Sequence, residues 1–239
     1  MRKYNSFSLL ACALLILFSS YFVLDANAET LTLNPIEDSY VEDINPSANY
    51  GGKSYLKVSD SGNMFTGECL AFLKFDLSAI PAGVSVDSAK LELYTTIYVT
   101  VTHHISAHYS SDNTWTELGI TYDNHPSFNT TPTSTTPVAS TNTWYEWTVT
   151  TDVQTALETT DRKITIVMKS DYHDGADWVW FDSKNQEYSW MEEYIPKLVV
   201  SYISKVATPT FSPAGGTYSS VQNVALSCAT SGATIRYTT

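Results

Sequence analysis

Residues 68–78 read ECLAFLKFDLS, and their apolar side chains alternate with the period of a β-strand. One face of the predicted strand carries Cys69, Ala71, Leu73, Phe75 and Leu77. The opposite face includes Lys74 and Asp76. A strand with one continuous apolar face needs a second layer to cover it, so this stretch predicts a sheet packed against another sheet.

The same scheme recurs along the chain. In SAKLELY, residues 88–94, the predicted inward side chains are Ala89, Leu91 and Leu93. Further strand-like runs are IYVTVTHHISAHY, GITYDN, WYEWTVT, KITIVMKS, WVWFDS and PKLVVSY. One short helical segment, DVQTALE, begins at Asp152, which we predict as its N-cap. Many alternating strands with few helices favour an all-β fold, a β-sandwich of antiparallel sheets.

The first 28 residues have the pattern of a secretory signal peptide. Arg2 and Lys3 precede the apolar run FSLLACALLILFSSYFVL, and ANA follows at positions 26–28. We predict cleavage after Ala28, a secreted or extracellular protein, possible attachment at the cell surface, and no membrane insertion after cleavage. The alternative is a signal anchor that stays in the bilayer, since the apolar run approaches the ~20 residues of a span.

Charge narrows the class of partner. The whole chain has a formal net charge of −12, and removal of Arg2, Lys3 and Asp25 makes the remainder one unit more negative. Nucleic acids and anionic lipids are bound through Lys and Arg, so we exclude both as partners. A neutral or weakly charged ligand fits better. Only Cys69 and Cys228 remain after cleavage, so an apolar core rather than a disulfide framework has to hold the fold.

Composition changes near the C-terminus. Residues 204–216, SKVATPTFSPAGG, contain two prolines and two glycines and are predicted to be a linker or domain entry. We assign residues 29–203 to the main β-domain and residues 206–239 to an incomplete second domain, since about 34 residues is below the ~40 that usually fold alone.

Five segments in order resemble a known family: DSYVEDINPSANYGGKSYLKV, FLKFDLSAIPAGVSVDSAKLELY, TWTELGITYDNHP, WYEWTVTTDV and PKLVVSY. They resemble DNRLRE-type domains, which overlap with carbohydrate-binding module family 96 and the disaggregatase-related repeats of methanogenic archaea. The resemblance implies a jelly-roll-like β-sandwich that acts as a binding module or a spacer module, with catalysis located in other domains. The family often has an acidic residue where this chain has Asn185. The tail from Ala207 resembles the start of the chitobiase/β-hexosaminidase C-terminal domain, an immunoglobulin-like module.

Tryptophans supply the candidate binding residues. Trp115, Trp144 and Trp147 fall where the family has large residues, so we predict that they pack in the core or on a sheet. Phe181 falls on the family's core phenylalanine, which places Trp178 and Trp180 on the outward face of their strand. Two outward indoles suit the apolar face of a sugar ring. Alternatively, a loop or another domain covers them. The predicted carbohydrate-binding residues are Trp178, Trp180, Tyr172, Trp190 and Lys184.

An acidic loop gives the candidate metal site. Asp171, Asp174 and Asp177 lie in SDYHDGADW, a glycine-containing loop between two strands. Clustered carboxylates suit Ca²⁺, although the spacing is not that of an EF-hand, and a solvated acidic loop is the commoner explanation. Asp38, Glu42 and Asp43 form a second, weaker acidic group. His104 and His108 are about 13 Å apart on one strand, too far to share a zinc ion, so we predict surface or turn histidines.

The sequence therefore predicts a non-catalytic module of a larger secreted protein that binds a polysaccharide or cell-surface glycan. It contains no G-x-S-x-G, H-E-x-x-H or P-loop motif. Two alternatives remain. The first is a structural or adhesive repeat without sugar affinity, and the second is the N-terminal accessory part of a polysaccharide-degrading enzyme.

Overall fold

The computed structural model describes residues 28–60, 67–96, 99, 101–171, 178–186, 193–204, 207–230 and 235. The chain divides into a compact unit, Asn27–Lys205, and a second unit that includes Val206–Thr239. Each unit is described by itself. No helix among the described residues is both long and apolar enough to cross a membrane.

The first unit contains eleven strands and one helix in its described part. In chain order they are β1 Ala28–Leu33, β2 Glu37–Glu42, β3 Tyr55–Val58, β4 Cys69–Asp76, β5 Ser85–Tyr94, β6 His103–Ser110, β7 Ser134–Val138, β8 Trp144–Thr148, α1 Thr150–Leu157, β9 Lys163–Ser170, β10 Val179–Asp182 and β11 Lys197–Ile203.

Two antiparallel sheets form the sandwich. The first has the strand order β1-β11-β5-β8, and the second has the order β2-β4-β9-β6-β7. Strand β1 runs antiparallel to β11 along its whole length, from Ala28 opposite Ile203 to Leu33 opposite Leu198. The two ends of the unit therefore lie side by side. An all-β antiparallel sandwich, as the alternating stretches predicted, is confirmed.

The main core lies between the two sheets. The predicted inward residues of β4 and β5 are fully buried, and all of them except Cys69 belong to this core: Cys69, Ala71, Leu73, Phe75, Ala89, Leu91 and Leu93. Among the described residues, Trp147 of β8 is the largest fully buried side chain, and its indole N–H donates to the carbonyl of Ile105 at 2.7 Å. The hydrogen bond satisfies the one polar group of the ring, so the indole is buried without an unpaired donor.

A second apolar cluster covers the other face of the five-stranded sheet. Phe72 and Leu70 of β4 pack there against Trp115 and Ile120, which belong to the long connection between β6 and β7. Lys74, on the same face, is buried, donates to the carbonyl of Trp115 and lies 4.5 Å from the centre of its ring. This connection contains no strand, so the predicted strand in GITYDN is wrong.

Helix α1 also differs from its prediction. Its N-cap is Val149, not Asp152, and Asp152 lies in the first turn. The Asp152 carboxylate accepts a hydrogen bond from the hydroxyl of Thr133 at 2.6 Å, so it ties the helix to the chain before β7 instead of capping the helix.

Strands β3 and β10 form a two-stranded ribbon joined to the end of β5. In the ribbon, Trp180 is opposite Lys57, and Asp182 is opposite Tyr55. On the other edge of β10, Phe181 bridges Thr95, and the amide of Thr96 donates to the carbonyl of Trp180 at 3.2 Å. The four strands β8, β5, β10 and β3 therefore follow one another laterally at this end of the sandwich.

In the second unit, β12 (Thr210–Ser212) pairs antiparallel with β13 (Ala225–Ser227). No residue in 207–230 is buried. Phe211, Tyr218, Val221 and Val224 are all exposed.

Candidate functional site

Trp178 and Trp180 point away from the core, as predicted. Val179 and Phe181, which alternate with them, are fully buried. Both tryptophans are half-buried. The indole of Trp180 stacks on the ring of Tyr55, with centroids 4.1 Å apart and planes 8° apart. One face of Trp180 is therefore covered by the protein, and only its other face is left for a ligand.

Further tyrosine rings continue this stack on the side of Tyr55 that faces away from Trp180. Tyr55 lies 5.7 Å from Tyr40, and Tyr40 lies 4.4 Å from Tyr50 in a stacked arrangement. The hydroxyl of Tyr50 donates to Glu42. Lys57 donates to the same carboxylate at 3.1 Å. Burial alone would raise the pKa of Glu42, but hydrogen bonds from Tyr50, Asn45 and Lys57 lower it, so the carboxylate stays ionised. Of the predicted acidic group of Asp38, Glu42 and Asp43, Glu42 is thus held by Asn45, Tyr50 and Lys57.

A second group of rings lies across the ribbon, at the end of β5. Tyr94 is opposite Trp144 on β8, with ring centroids 5.4 Å apart. Tyr194 lies against Tyr94 at 4.3 Å. The ammonium group of Lys197 sits 4.4 Å from the centre of the Trp144 ring. Trp144 is half-buried and packs on the outer side of the sheet, and Trp115 and Trp147 are buried, so the prediction that these three tryptophans pack in the core or on a sheet is confirmed.

The two groups form one surface. The bridge between Thr95 and Phe181 places Tyr94 beside Asp182, and Asp182 is in turn opposite Tyr55. Side chains on one strand alternate between faces, so these residues share the outward face with Trp180 and Trp144. We call this surface the aromatic face and define it by Tyr55, Tyr94, Trp144, Trp178, Trp180 and Tyr194. With strands ~4.8 Å apart, it extends about 14 Å from β8 to β3.

Asp182 lies in the middle of the aromatic face and is only 3% exposed. Its Oδ2 atom has no hydrogen-bond partner among the described residues. Burial raises the pKa of its carboxyl group to about 7. The phenol of Tyr194 has a raised pKa, chiefly through Glu193 and also through the nearby charge of Asp182.

Lys184, a predicted sugar-binding residue, is engaged within the protein. Its ammonium group forms an ion pair with Glu117 at 2.6 Å and a hydrogen bond with the Asn185 side chain at 3.1 Å. Its backbone N–H donates to Asp38 Oδ2 at 2.7 Å, and the hydroxyl of Ser183 donates to Asp38 Oδ1 at 2.8 Å. Burial outweighs these hydrogen bonds and raises the pKa of Asp38 to about 6.

Asn185 stands where the family often has an acid. Its amide donates to the carbonyl of Gly51 at 2.7 Å and also to the carboxylate of Glu117. A carboxylate has no hydrogen to donate and would repel Glu117, so the amide suits these partners. Asn185, Glu117 and Gly51 also line a shallow groove of about 560 Å³, bordered by the exposed side chains of Ile36 and Leu118. None of the described residues that line the groove is aromatic.

Four predicted site residues, Tyr172, Asp174, Asp177 and Trp190, lie outside the described residues. Asp171 is exposed, and its backbone N–H donates to the carbonyl of His104 at 3.0 Å. Within the part of the chain that the structure describes, no group of three or more His, Cys, Asp or Glu residues could hold a metal ion. His104 is exposed as predicted, but His108 is buried, so a surface position is wrong for it.

Sequence reasoning found β10 as a candidate strand but missed Tyr55, Tyr94, Trp144 and Tyr194. Alternation in KLELY does place Tyr94 on the outward side. The sequence does not show, however, which strands are lateral neighbours, because β8, β5, β10 and β3 lie far apart in the chain.

Comparison with known families agrees with this architecture. The model of carbohydrate-binding module family 96 matches residues 29–201, and the model of the chitobiase/beta-hexosaminidase C-terminal domain matches residues 213–239. Both matches confirm the resemblances noted in the sequence. A search among curated proteins finds no match to the chain. Because the first match spans most of the 239 residues, the chain belongs to carbohydrate-binding module family 96.

Proposed function

We propose that residues 29–203 form a secreted, non-catalytic module that binds a neutral or weakly charged polysaccharide or cell-surface glycan through the aromatic face. The observation that carries the proposal is the pair of half-buried indoles, Trp178 and Trp180, directed away from the core beside Tyr55. Secretion is supported by the signal-like residues 1–28, and the low charge of the ligand by the net charge of −12.

The chemistry of the rings suits a sugar. The C–H groups of a pyranose ring can pack on an indole, and hydroxyl groups gain little net free energy because they exchange water for protein partners. Burial of roughly 100 Å² of apolar surface at ~25 cal/mol/Å² contributes about 2.5 kcal/mol before the cost of association. We therefore expect dissociation constants nearer millimolar than nanomolar.

Affinity electrophoresis in gels that contain neutral polysaccharides, with gels of anionic polysaccharides in parallel, tests the proposal. We expect wild-type protein to be retarded in at least one neutral gel. Trp178→Ala and Trp180→Ala should each weaken retardation about tenfold, which corresponds to a loss of ~1.4 kcal/mol of binding free energy. Phe211→Ala is the matched control, because Phe211 is an exposed aromatic residue of the second unit.

The same gels separate this function from its alternatives. A structural or adhesive repeat without sugar affinity would migrate equally in all gels, and the two tryptophan variants would match wild type. If the variants lose retardation but also unfold, circular dichroism will show it, and the indoles would then be structural.

A further inference from the structure

The ammonium group of Lys57 faces two aromatic rings. It is 5.9 Å from the centre of the Trp178 ring and 5.8 Å from the centre of the Tyr40 ring. Both distances fall within the ~6 Å over which a cation is attracted to the face of an aromatic ring. Lys57 is opposite Trp180 in the ribbon, so its side chain leaves β3 on the same outward side as the two tryptophans.

A nearly buried carboxylate fixes this ammonium group. Lys57 donates to Glu42 at 3.1 Å, and the two side chains are only 13% and 7% exposed. Glu42 also accepts hydrogen bonds from the amide of Asn45, at 2.6 Å, and from the hydroxyl of Tyr50. A charge-assisted hydrogen bond in such surroundings is stronger than one in water, and it offsets the entropy that the lysine side chain loses. The cation beside Trp178 is therefore held in one place.

Trp178 depends on this cation more than its neighbour does. Strand β10 begins at Val179, so Trp178 lies just before the strand. Trp180 has the ring of Tyr55 stacked on one face, whereas no such stack holds Trp178 within the part of the chain that the structure describes. An indole that is free to rotate loses conformational entropy when it binds a ligand, so an indole that is already held binds more tightly.

We propose, on the basis of the function proposed above, that Lys57, held by Glu42, is a positioning residue of the glycan site. Its ammonium group holds the indole of Trp178 by one face and leaves the other face for the sugar. Lys57 acts through Trp178 and does not contact the polysaccharide. Loss of this support should weaken binding about threefold to tenfold, the cost of immobilising one side chain.

The double variant Lys57→Met/Glu42→Gln provides the test. Lys57→Met alone would leave the Glu42 carboxylate buried without its cation, which is strongly destabilising, whereas removal of both charges avoids this cost. The double variant also keeps the net charge, so its mobility in a gel without polysaccharide should equal that of wild type. The matched control is Lys90→Met/Glu146→Gln, which removes an ion pair of 2.6 Å that lies outside the aromatic face.

Gels that contain galactomannan or polygalacturonate, one neutral and one anionic, measure binding. In whichever gel retards wild-type protein, the Lys57→Met/Glu42→Gln variant should be retarded about threefold to tenfold less, and the control variant should match wild type. Lys57→Arg, which restores the cation, should recover most of the retardation. Unchanged retardation of the first variant would overturn the proposal.

A double-mutant cycle separates positioning from direct contact. In a Trp178→Ala background, removal of the Lys57 and Glu42 charges should weaken retardation no further, because the lysine acts only through the indole. A further loss equal to that in the wild-type background would mean that Lys57 contacts the polysaccharide itself, and it would overturn the proposal.

Fluorine NMR of protein labelled with fluorotryptophan gives a readout that needs no polysaccharide. The chain has six tryptophans, and the signal that Trp178→Phe removes is that of Trp178. This signal should shift and broaden in Lys57→Met/Glu42→Gln and return towards its wild-type position in Lys57→Arg. The signal of Trp147, which is fully buried in the main core, should not move. An unchanged Trp178 signal in the double variant would overturn the proposal.

The two proposals can fail separately. If the tryptophan variants lose retardation while Lys57→Met/Glu42→Gln changes neither retardation nor the Trp178 signal, the positioning role is refuted and the aromatic face remains the binding surface. If neither gel retards wild-type protein, the glycan site is refuted, and the Trp178 signal alone decides whether Lys57 holds the indole.

Discussion

The indole of Trp180 lies flat on the ring of Tyr55, with their centroids 4.1 Å apart. This contact joins the two strands of the ribbon, since Trp180 is on β10 and Tyr55 is on β3. It gives Trp180 a structural role in addition to its proposed role in ligand binding. It also distinguishes Trp180 from Trp178, whose ring is approached by the ammonium group of Lys57 at 5.9 Å.

We therefore predict unequal stability losses for the two tryptophan variants. Trp180→Ala should lower the free energy of unfolding by about 0.5–1.5 kcal/mol more than Trp178→Ala, because this is what an aromatic pair contributes beyond the burial of its area. Urea titrations monitored by circular dichroism measure both. Trp180→Phe should recover part of the loss. Equal losses for the two alanine variants would contradict a stabilising stack.

Asn185→Asp should destabilise the first unit by roughly 1–3 kcal/mol at pH 7, the cost of leaving buried partners unpaired. The new carboxylate would face both the Gly51 carbonyl and Glu117, to which the amide now donates. Asn129→Asp is the control, because Asn129 is exposed. Chemical denaturation of both variants gives the comparison, and a neutral effect at position 185 would refute our account of why an amide stands there.

Stability should fall as the pH rises from about 4 to about 7. Burial raises the pKa of Asp38 to about 6 and that of Asp182 to about 7, against ~3.9 in the unfolded chain. Between these values the unfolded chain loses protons that the folded chain keeps, so unfolding becomes more favourable, and the loss persists above pH 7.

The opposite trend holds below pH 4. Hydrogen bonds lower the pKa values of Asp76 and Asp112 in the folded protein. These carboxylates therefore stabilise the fold at pH values above their pKa in the unfolded chain, and this stabilisation is lost as the pH falls through their pKa in the folded protein. We expect maximal stability near pH 4–5 in urea titrations across the range. In Asp182→Asn, the decline between pH 5 and pH 7 should become smaller. A rise in wild-type stability over that interval would contradict the assignment.

Calcium binding by Asp171, Asp174 and Asp177 stays a prediction from the sequence. If the ion binds, it should raise the free energy of unfolding by ~2.7 kcal/mol when free calcium is 100 times its Kd. Melting curves in calcium and in EDTA would then separate, and Asp171→Asn should bring them closer. Magnesium is the control ion, since its smaller octahedral shell suits such a loop less well. Superimposable curves would contradict calcium binding and would mean that these residues form an ordinary solvated loop.

Limited proteolysis should remove the second unit first. None of its described residues in 207–230 is buried, and Phe211 and Tyr218 offer exposed sites for chymotrypsin. The first unit, with its two apolar clusters, should survive as a stable fragment. Mass spectrometry of the digest identifies the cuts. Early cleavage within β4 or β5 would contradict the proposed domain boundary.

Much of the sandwich could be predicted from the sequence because inward apolar residues recur at every second position of its central strands. In β4, every second residue from Cys69 to Phe75 is fully buried, and those from Ala71 onward belong to the main core. The prediction failed at GITYDN, where the chain forms turns instead. The side chain of Asn49 holds the carbonyls of Glu117 and Ile120 there, at 2.8 and 2.7 Å. A bond between residues about 70 positions apart leaves no local signal.

The candidate site was only partly predictable for a related reason. The outward direction of Trp178 and Trp180 followed from alternation, given that Phe181 is inward. The neighbours of that strand depend on tertiary pairing, so Tyr55, Tyr94 and Trp144 could not be placed beside it. Asp182 is a charged residue at the end of its strand, yet solvent is almost completely excluded from it, which the sequence does not indicate.

The pairing of β1 with β11 places both ends of the module far from the aromatic face. Ala28 and Ile203 meet beside Ser85, at the start of β5, whereas Tyr94 and the aromatic face lie at its other end. Nine residues of extended strand separate these points by roughly 30 Å. Both ends of the module therefore lie at one pole, and the aromatic face, the proposed glycan-binding surface, lies at the other. If that surface binds a polymer as proposed, the sandwich separates its own ends from the polymer by about one domain length.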